Sequence, residues 1–235
     1  MKAAAVIVAA GSSQRMGTDK ILADLCYMPV IARTLLAFEK SEYIEEILIV
    51  TRQDILGDMA DLCKKYGISK ATQVLAGGST RMESALIGVS NLKKNSPLIA
   101  IHDGARPLVT QKIIEDTVKA AYEKNAAIPV IKCTDTMKLV DDERVVVGTV
   151  DREKLLRVQT PQVFEADIIK GALTFAAEKG LAITDDASAV EILGFKIATV
   201  DGDEENIKLT TPNDFLIARE ILKKRGEFVE NRSWL

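Results

Sequence analysis

The sequence predicts an α/β fold: a mostly parallel sheet with helices on both faces and a protruding β-hairpin arm. Three observations predict it. Short apolar runs alternate with stretches of helical spacing from Lys2 to Ile131. The runs are apolar at successive positions, as strands covered on both faces are. The helical period then stops at Lys132 and resumes at Ala166, and the intervening segment reads as a hairpin. One domain is expected over residues 1–235, with the arm at about 133–158.

Each element has its own signal. "KAAAVIVAA" is a strand apolar on both faces. It opens the chain as a secretory leader would, but its apolar core is short and a glycine loop with Arg15 follows. "PVIARTLLAFEKS" places Val30, Ile31, Thr34, Leu35 and Phe38 at helical spacing, with a proline at its start. "EEILIVT" is the second strand, and "ILGDMADLCKKYG" is a helix closed by Gly67. "ATQVLAG" is the third strand. "STRMESALIGVSNLKK" is a helix for which Ser79 is the expected N-cap. "SPLIAIHDGARP" is a strand and turn, "TQKIIEDTVKAAYEKN" a helix, and "AAIPVI" a strand. "MKLV" and "RVVVGTV" flank the acidic turn "DDE" and form the hairpin. Helices return at Ala166–Lys179 and after Asp185 or Asp186; "FKIATVDG" is a last strand. In "TTPND", Thr211 caps a final helix with Pro212 in its first position, and "ENRSWL" is expected to be a loosely held tail.

Composition narrows the function. The 235 residues are 47% hydrophobic and 28% charged, with a net charge of −3, which argues against a general nucleic-acid binder. No apolar run reaches the ~18 residues of a membrane span. Cys26, Cys63 and Cys133 are odd in number and far apart, which fits reduced thiols and a cytoplasmic location. His102 is the only histidine. Chemistry must therefore rest mainly on Lys, Arg, Asp and backbone groups.

In a parallel sheet, ligands bind at the carboxyl ends of the strands. Those ends carry "AAGSSQRMG", "AGGSTR" and "HDGARP". The first lacks both the G-x-G-x-x-G of dinucleotide folds and the Gly-Lys-Ser/Thr of a P-loop. Ala9, Ala10 and Gly11 still let backbone N–H groups approach an anion, and Arg15 and Lys20 add charge. A glycine turn with solvent-facing cations accounts for the same spacing. Asp103 is suited to a metal ion and Arg106 to a phosphate; an internal pair that braces the loop accounts for them as well. If Asp103 faces the ligand edge, His102 faces away and is structural. Gly77 and Gly78 precede a helix N-terminus, where an anion or base edge sits close to backbone, although a plain strand-to-helix turn needs the same residues. "NIKLTTP" places Lys208 at a strand end.

Together "AAGSSQRMG", "GGSTRMESA", "HDGARP", "DTMK", "TVDR", "TPQVF", "TDDASAVE" and "NIKLT" resemble, in order, the 2-C-methyl-D-erythritol 4-phosphate cytidylyltransferase family. The resemblance runs from Ala3 to about Leu222. It implies a Rossmann-like nucleotidyltransferase fold and a reaction of CTP with methylerythritol phosphate, with Mg2+, that gives a CDP-alcohol and pyrophosphate for isoprenoid synthesis. Residue by residue, it implies that Ala9, Ala10 and Gly11 line the CTP phosphates, while Arg15, Lys20 and Lys208 act on the reacting phosphate. It places Gly77, Gly78 and Ser84 at the cytidine, Asp103 at the metal and ribose, and Arg106, Thr184 and Asp185 near the second substrate. It further implies a homodimer in which the arm carries Thr136 and Arg152 to the partner's site. One departure stands out: Asp19-Lys20-Ile21 replaces the family's usual Pro-Lys-Gln, in a loop about two residues shorter. A ribitol 5-phosphate cytidylyltransferase and a non-catalytic nucleotide-binding protein are the rival readings.

Overall fold

The computed structural model describes residues 1–11 and 20–227. Strand β1 (Ala3–Ala9) leads to helix α1 (Val30–Lys40), β2 (Ile44–Thr51), α2 (Leu56–Lys65), β3 (Ala71–Ala76), α3 (Arg81–Ser90), β4 (Leu98–Asp103), α4 (Gln111–Lys124) and β5 (Ala126–Lys132). A hairpin of β6 (Lys138–Val140) and β7 (Val146–Thr149) follows, then β8 (Leu156–Val158), β9 (Gln162–Glu165), α5 (Ala166–Glu178), α6 (Asp186–Ile192), β10 (Ala198–Asp201) and α7 (Pro212–Lys224).

The order across the sheet is β10-β5-β9-β4-β1-β2-β3, with β8 paired to β5. The pairs β1–β2, β1–β4, β2–β3 and β5–β10 are parallel. Strand β9 runs antiparallel between β4 and β5, and β8 is antiparallel to β5. Neither β8 nor β9 is expected from the sequence. Each is short, and β9 carries the buried polar residue Gln162. The Gln162 side chain is satisfied from outside the strand: Nε2 donates to Asp185 Oδ2 at 2.7 Å, and Oε1 accepts from Ala187 N at 2.9 Å.

The sheet divides the core by residue parity, because successive strand side chains point to opposite faces. Ala5 and Ile7 of β1, with Ile47 and Ile49 of β2, join Ile31, Leu35 and Phe38 of α1 and Met59 of α2. Val6, Leu48, Val50 and Ile101 face the other way, towards Ala85 and Val89 of α3 and Ile169 and Leu173 of α5. Burying one such large apolar side chain stabilises the fold by about 1.5–3 kcal/mol. Gly88 lets α3 approach closely, since a Cβ there would meet Val6 Cγ1 at 2.3 Å. The third cluster holds α7, through Ala218 and Leu222, against Leu25, Val30 and Leu108.

Two helix starts decide local geometry. Thr211 and Asp214 form a capping box, with Pro212 at the start of α7, as the sequence predicts. The expected Ser79 cap of α3 is corrected to Thr80, whose Oγ1 accepts from Glu83 N at 3.0 Å. Glu83 Oε2 in turn accepts from Ser79 N at 2.6 Å. The spacing Thr80-x-x-Glu83 satisfies both groups, which a cap at Ser79 does not.

The hairpin stands off the main sheet as its own two-stranded unit. Asp141 Oδ1 shapes its turn by accepting from Val145 N at 2.9 Å and Glu143 N at 3.1 Å. Its side chains Leu139, Val140, Val146 and Val147 are exposed.

His102 lies wholly buried, with its ring 4.8 Å from that of Phe38. Nε2 contacts the Arg106 carbonyl at 3.3 Å and Nδ1 contacts Thr160 Oγ1 at 2.9 Å. A carbonyl only accepts, so Nε2 carries the proton and Nδ1 accepts from the Thr160 hydroxyl. That hydroxyl also accepts from Asp103 N at 3.2 Å. Burial pushes the imidazole pKa down to about 3. Folding therefore excludes a proton that the unfolded chain takes up below pH ~6.5. Stability is full above that pH and is lost as pH falls towards 3. Between pH 7 and 5 the loss is about 2 kcal/mol from this residue alone. Urea unfolding of the native protein and of His102→Gln should show it: the variant is less stable at pH 7, and its pH slope is flatter by one proton. Parallel slopes would refute the assignment.

Candidate active site

The pocket sits where the fold predicts it. From β1 the chain continues to β2 on one side, while β4 returns on the other, so the sheet changes direction between β1 and β4. Ligands bind at such a switch point, outside the carboxyl ends of the strands. Here those ends are Ala9 and Asp103, with Val8 and Asp103 directly paired. Above them lies a cavity of about 470 Å³.

Its floor is made of small groups. Ala9, Ala10 and Gly11 line one side, and Gly78 and Ser84 line another. Gly77 is not a lining residue but determines how close the two sides come. A Cβ at Gly77 would stand 2.4 Å from Ala10 Cβ and 2.7 Å from Ser84 Oγ. The Ser84 hydroxyl is turned back to its own helix and donates to Thr80 O at 2.9 Å. Gly104 tucks the turn after β4 under β1, donating its N–H to Val8 O at 2.9 Å.

The charged groups come from four segments. Lys20 and Lys208 both line the cavity. Lys208 is not at the end of a strand as expected: β10 stops at Asp201, and Lys208 lies in the connection to α7. That connection is pinned to the β4 turn instead, by Leu209 N to Ala105 O at 2.9 Å. Asp103 Oδ2 takes Lys208 Nζ at 2.8 Å, and Asp103 Oδ1 takes Arg81 Nε at 3.1 Å. Burial acts to raise the Asp103 pKa; Arg81, Lys208 and Arg106 outweigh it and hold the carboxyl well below the usual carboxylate range. Arg81 continues to Asp186, with Nη1 and Nη2 at 2.9 and 2.7 Å from its two oxygens.

Arg106 takes the bracing position that the sequence left open. It is not a lining residue; its Nη1 donates to Asn206 O at 2.7 Å, and its Nε lies 3.8 Å from Asp103 Oδ2. Asn206 is itself held by Gln159 Oε1 and Thr160 O, so the pair secures the loop that carries Lys208. Thr184 and Asp185 also lie outside the lining. Thr184 is exposed, and both Asp185 carboxylate oxygens are engaged, by Ser188 N and Gln162 Nε2. Thr136 and Arg152 are exposed on and beside the arm, and Arg152 Nη1 reaches Thr134 O at 3.4 Å. Arg15 lies outside the described residues.

A family model for 2-C-methyl-D-erythritol 4-phosphate cytidylyltransferase matches residues 3–224. The chain belongs to this family. It is a nucleotidyltransferase. It is 40% identical over 227 residues to the 2-C-methyl-D-erythritol 4-phosphate cytidylyltransferase of Caldanaerobacter subterraneus, across 95% of this chain and the whole of that protein. It is 42% identical over 224 residues to that of Dehalococcoides mccartyi strain 195, across 95% of this chain and 97% of the relative. Among solved structures, the 4-diphosphocytidyl-2C-methyl-D-erythritol synthase of Anaerococcus prevotii superposes with a TM-score of 0.84 at 29% identity, covering 94% of this chain and 96% of that one. The cytidylyltransferase of Thermus thermophilus gives 0.77 at 28% identity, covering 95% and 100%.

Sequence reasoning missed Arg81 and Asp186, although each left a signal. An arginine in the first position of a helix sits at the positive end of the dipole and needs a carboxylate nearby. The second Asp of "TDDAS" supplies one, completely buried. Gly77→Ala tests the close approach of the cytidylyltransferase floor. Overpacking of this kind costs about 1–3 kcal/mol of folding stability. Urea unfolding of the variant checks it, and native stability would disprove the constraint.

Proposed function

We propose that CTP lies in this cavity with its triphosphate over Ala9–Gly11, and that the phosphate of 2-C-methyl-D-erythritol 4-phosphate attacks the α-phosphorus. The new P–O bond joins the two phosphates, and the bond to the β-phosphate oxygen breaks to release pyrophosphate. A phosphomonoester is mostly a dianion at neutral pH, so the nucleophile needs no side-chain base. This accounts for a pocket whose neighbouring histidine is neutral and sealed in the core.

The obstacle is electrostatic. Two unit charges ~4 Å apart repel by about 4 kcal/mol at an effective dielectric of ~20, and each phosphate group carries more than one. Lys20 and Lys208, with Arg15 by the family resemblance, offset that repulsion and stabilise the charge that builds on the α-phosphate. The observation that carries the reading is that Lys20 and Lys208 line the same cavity as the small residues Ala9, Ala10 and Gly11. Gly78 and Ser84 line the end that the resemblance assigns to cytidine.

Among the described residues, Asp103 is the one carboxylate in the cavity wall, and no cluster of three His, Cys, Asp or Glu side chains could hold a metal by itself. That donor set fits a magnesium ion carried in on the triphosphate, which takes most of its ligands from phosphate and water. Asp103 would hold it, and the ion would supply further neutralisation of phosphate charge.

By the family resemblance we place the second substrate near Arg106, Thr184 and Asp185, and complete its site from a second subunit. The exposed apolar face of the arm supports a homodimer, and Thr136 and Arg152 travel with it. No described helix is long and apolar enough to cross a membrane. The composition supports a cytoplasmic enzyme with small-molecule substrates and no nucleic-acid partner.

Pyrophosphate release from CTP with methylerythritol phosphate or ribitol 5-phosphate decides the substrate: turnover is expected with the first, and preference for the second would reverse the assignment. Lys208→Ala and Arg15→Ala should each cut turnover by roughly 10²-fold or more with the fold intact. Near-native rates in both would remove those roles. Arg152→Ala subunits mixed with Lys208→Ala subunits should regain activity, because each defect falls in a different site. No regain in confirmed mixed dimers would exclude a shared site.

A further inference from the structure

Arg81 is a charge in an unfavourable place that the structure uses twice. It opens α3, where the helix dipole repels a cation. Its two terminal nitrogens are fixed to both oxygens of Asp186, a residue with no exposed surface, in the first turn of α6. A guanidinium is planar and rigid, so pinning that edge fixes where Nε–H points. It points at Asp103 Oδ1, 3.1 Å away. One carboxylate would be enough to balance the charge; here the same group spans two. The other oxygen of Asp103 holds Lys208 Nζ at 2.8 Å. The chain Asp186–Arg81–Asp103–Lys208 thus runs from a buried helix start to the cavity.

We propose that Arg81, anchored by Asp186, is a positioning residue for the transfer reaction: it fixes the Asp103 carboxylate in the cavity wall and, through it, the place of Lys208. The alternative is a plain brace between α3 and α6. The two differ in one respect. A positioning residue acts only while Asp103 can respond, whereas a brace acts whatever stands at 103.

The inference rests on the cavity being the transfer site. If the native protein releases no pyrophosphate with either alcohol phosphate, that reading fails first; a normal native rate with unaltered variants sinks only this inference. Arg81→Lys keeps the charge but cannot span both carboxylates, and Asp186→Asn keeps the shape but accepts only one of the two N–H groups. Turnover, CTP dissociation constants and melting temperature are measured for the full-length native protein, R81K, D186N, D103N and both double variants. Misplacement by about 1 Å costs up to 10²-fold, so R81K should lose about that in kcat, with D186N between it and the native protein. In the D103N background, R81K should cost less than about 3-fold, because coupled residues are not additive. Where turnover drops below detection, the CTP dissociation constants give the same cycle. If R81K melts below the assay temperature, D186N with D103N replaces it. Equal losses from R81K with and without D103N, or kcat within 3-fold of native in a folded R81K, would overturn the proposal.

Discussion

The site depends on a carboxylate kept charged where water hardly reaches it. Removing an ion from water costs several kcal/mol even after the protein relaxes, so Asp103 can stay ionised only if cations surround it. Arg81, Lys208 and Arg106 do so from three directions. They arrive on α3, on the connection before α7 and on the β4 turn, and their convergence sets those three segments relative to β1. Two of them, Arg81 and Lys208, also line the cavity. Cations held in place before the substrate arrives need no reorganisation when charge moves between phosphate oxygens.

Such a cluster needs a backbone that brings its owners together, and small residues provide it. Gly88 brings α3 down onto β1, and Gly104 folds the turn after β4 beneath Val8. Gly77 brings the β3–α3 turn within contact of Ala10. These glycines have ordinary φ values, so the requirement is space rather than backbone freedom. Added methyl groups would separate the strand ends beneath the cavity from the helix that carries Arg81.

The α/β rhythm, the hairpin and the start of α7 were legible because they are local: periodicity, a turn and a Pro-containing cap each declare themselves within a few residues. The small residues Ala9–Gly11 were legible for a similar reason, as they stand at a strand end; Lys208 reaches the same cavity from a connection rather than from the strand end expected of it. What escaped was long-range. Strand β9 is four residues long, and its Gln162 is satisfied only by Asp185 and Ala187, more than twenty positions away. Arg81 finds Asp186 across 105 positions of sequence. For Arg106 the sequence left a phosphate grip and an internal brace both open, because the bracing partner, Asn206, lies 100 positions on. The α3 cap was a local error, since Thr80-x-x-Glu83 was visible and Ser79 was preferred.

The commitments of the arginines bear on what one chain can do alone. Arg81 is bound to two carboxylates and Arg106 to a carbonyl and a nearby carboxylate, so neither guanidinium is available to a second phosphate without breaking a buried interaction. Breaking one would leave a charge such as Asp186 uncompensated, at a cost of about 3–5 kcal/mol. A second dianion drawn next to a triphosphate nevertheless needs positive charge of its own. Arg152 lies on an exposed segment beside an arm whose valines and leucine face solvent. Apolar surface of that kind is usually covered by a partner. In the homodimer proposed above, a neighbouring subunit that covered the arm would meet both needs at once, burying the valines and receiving Arg152.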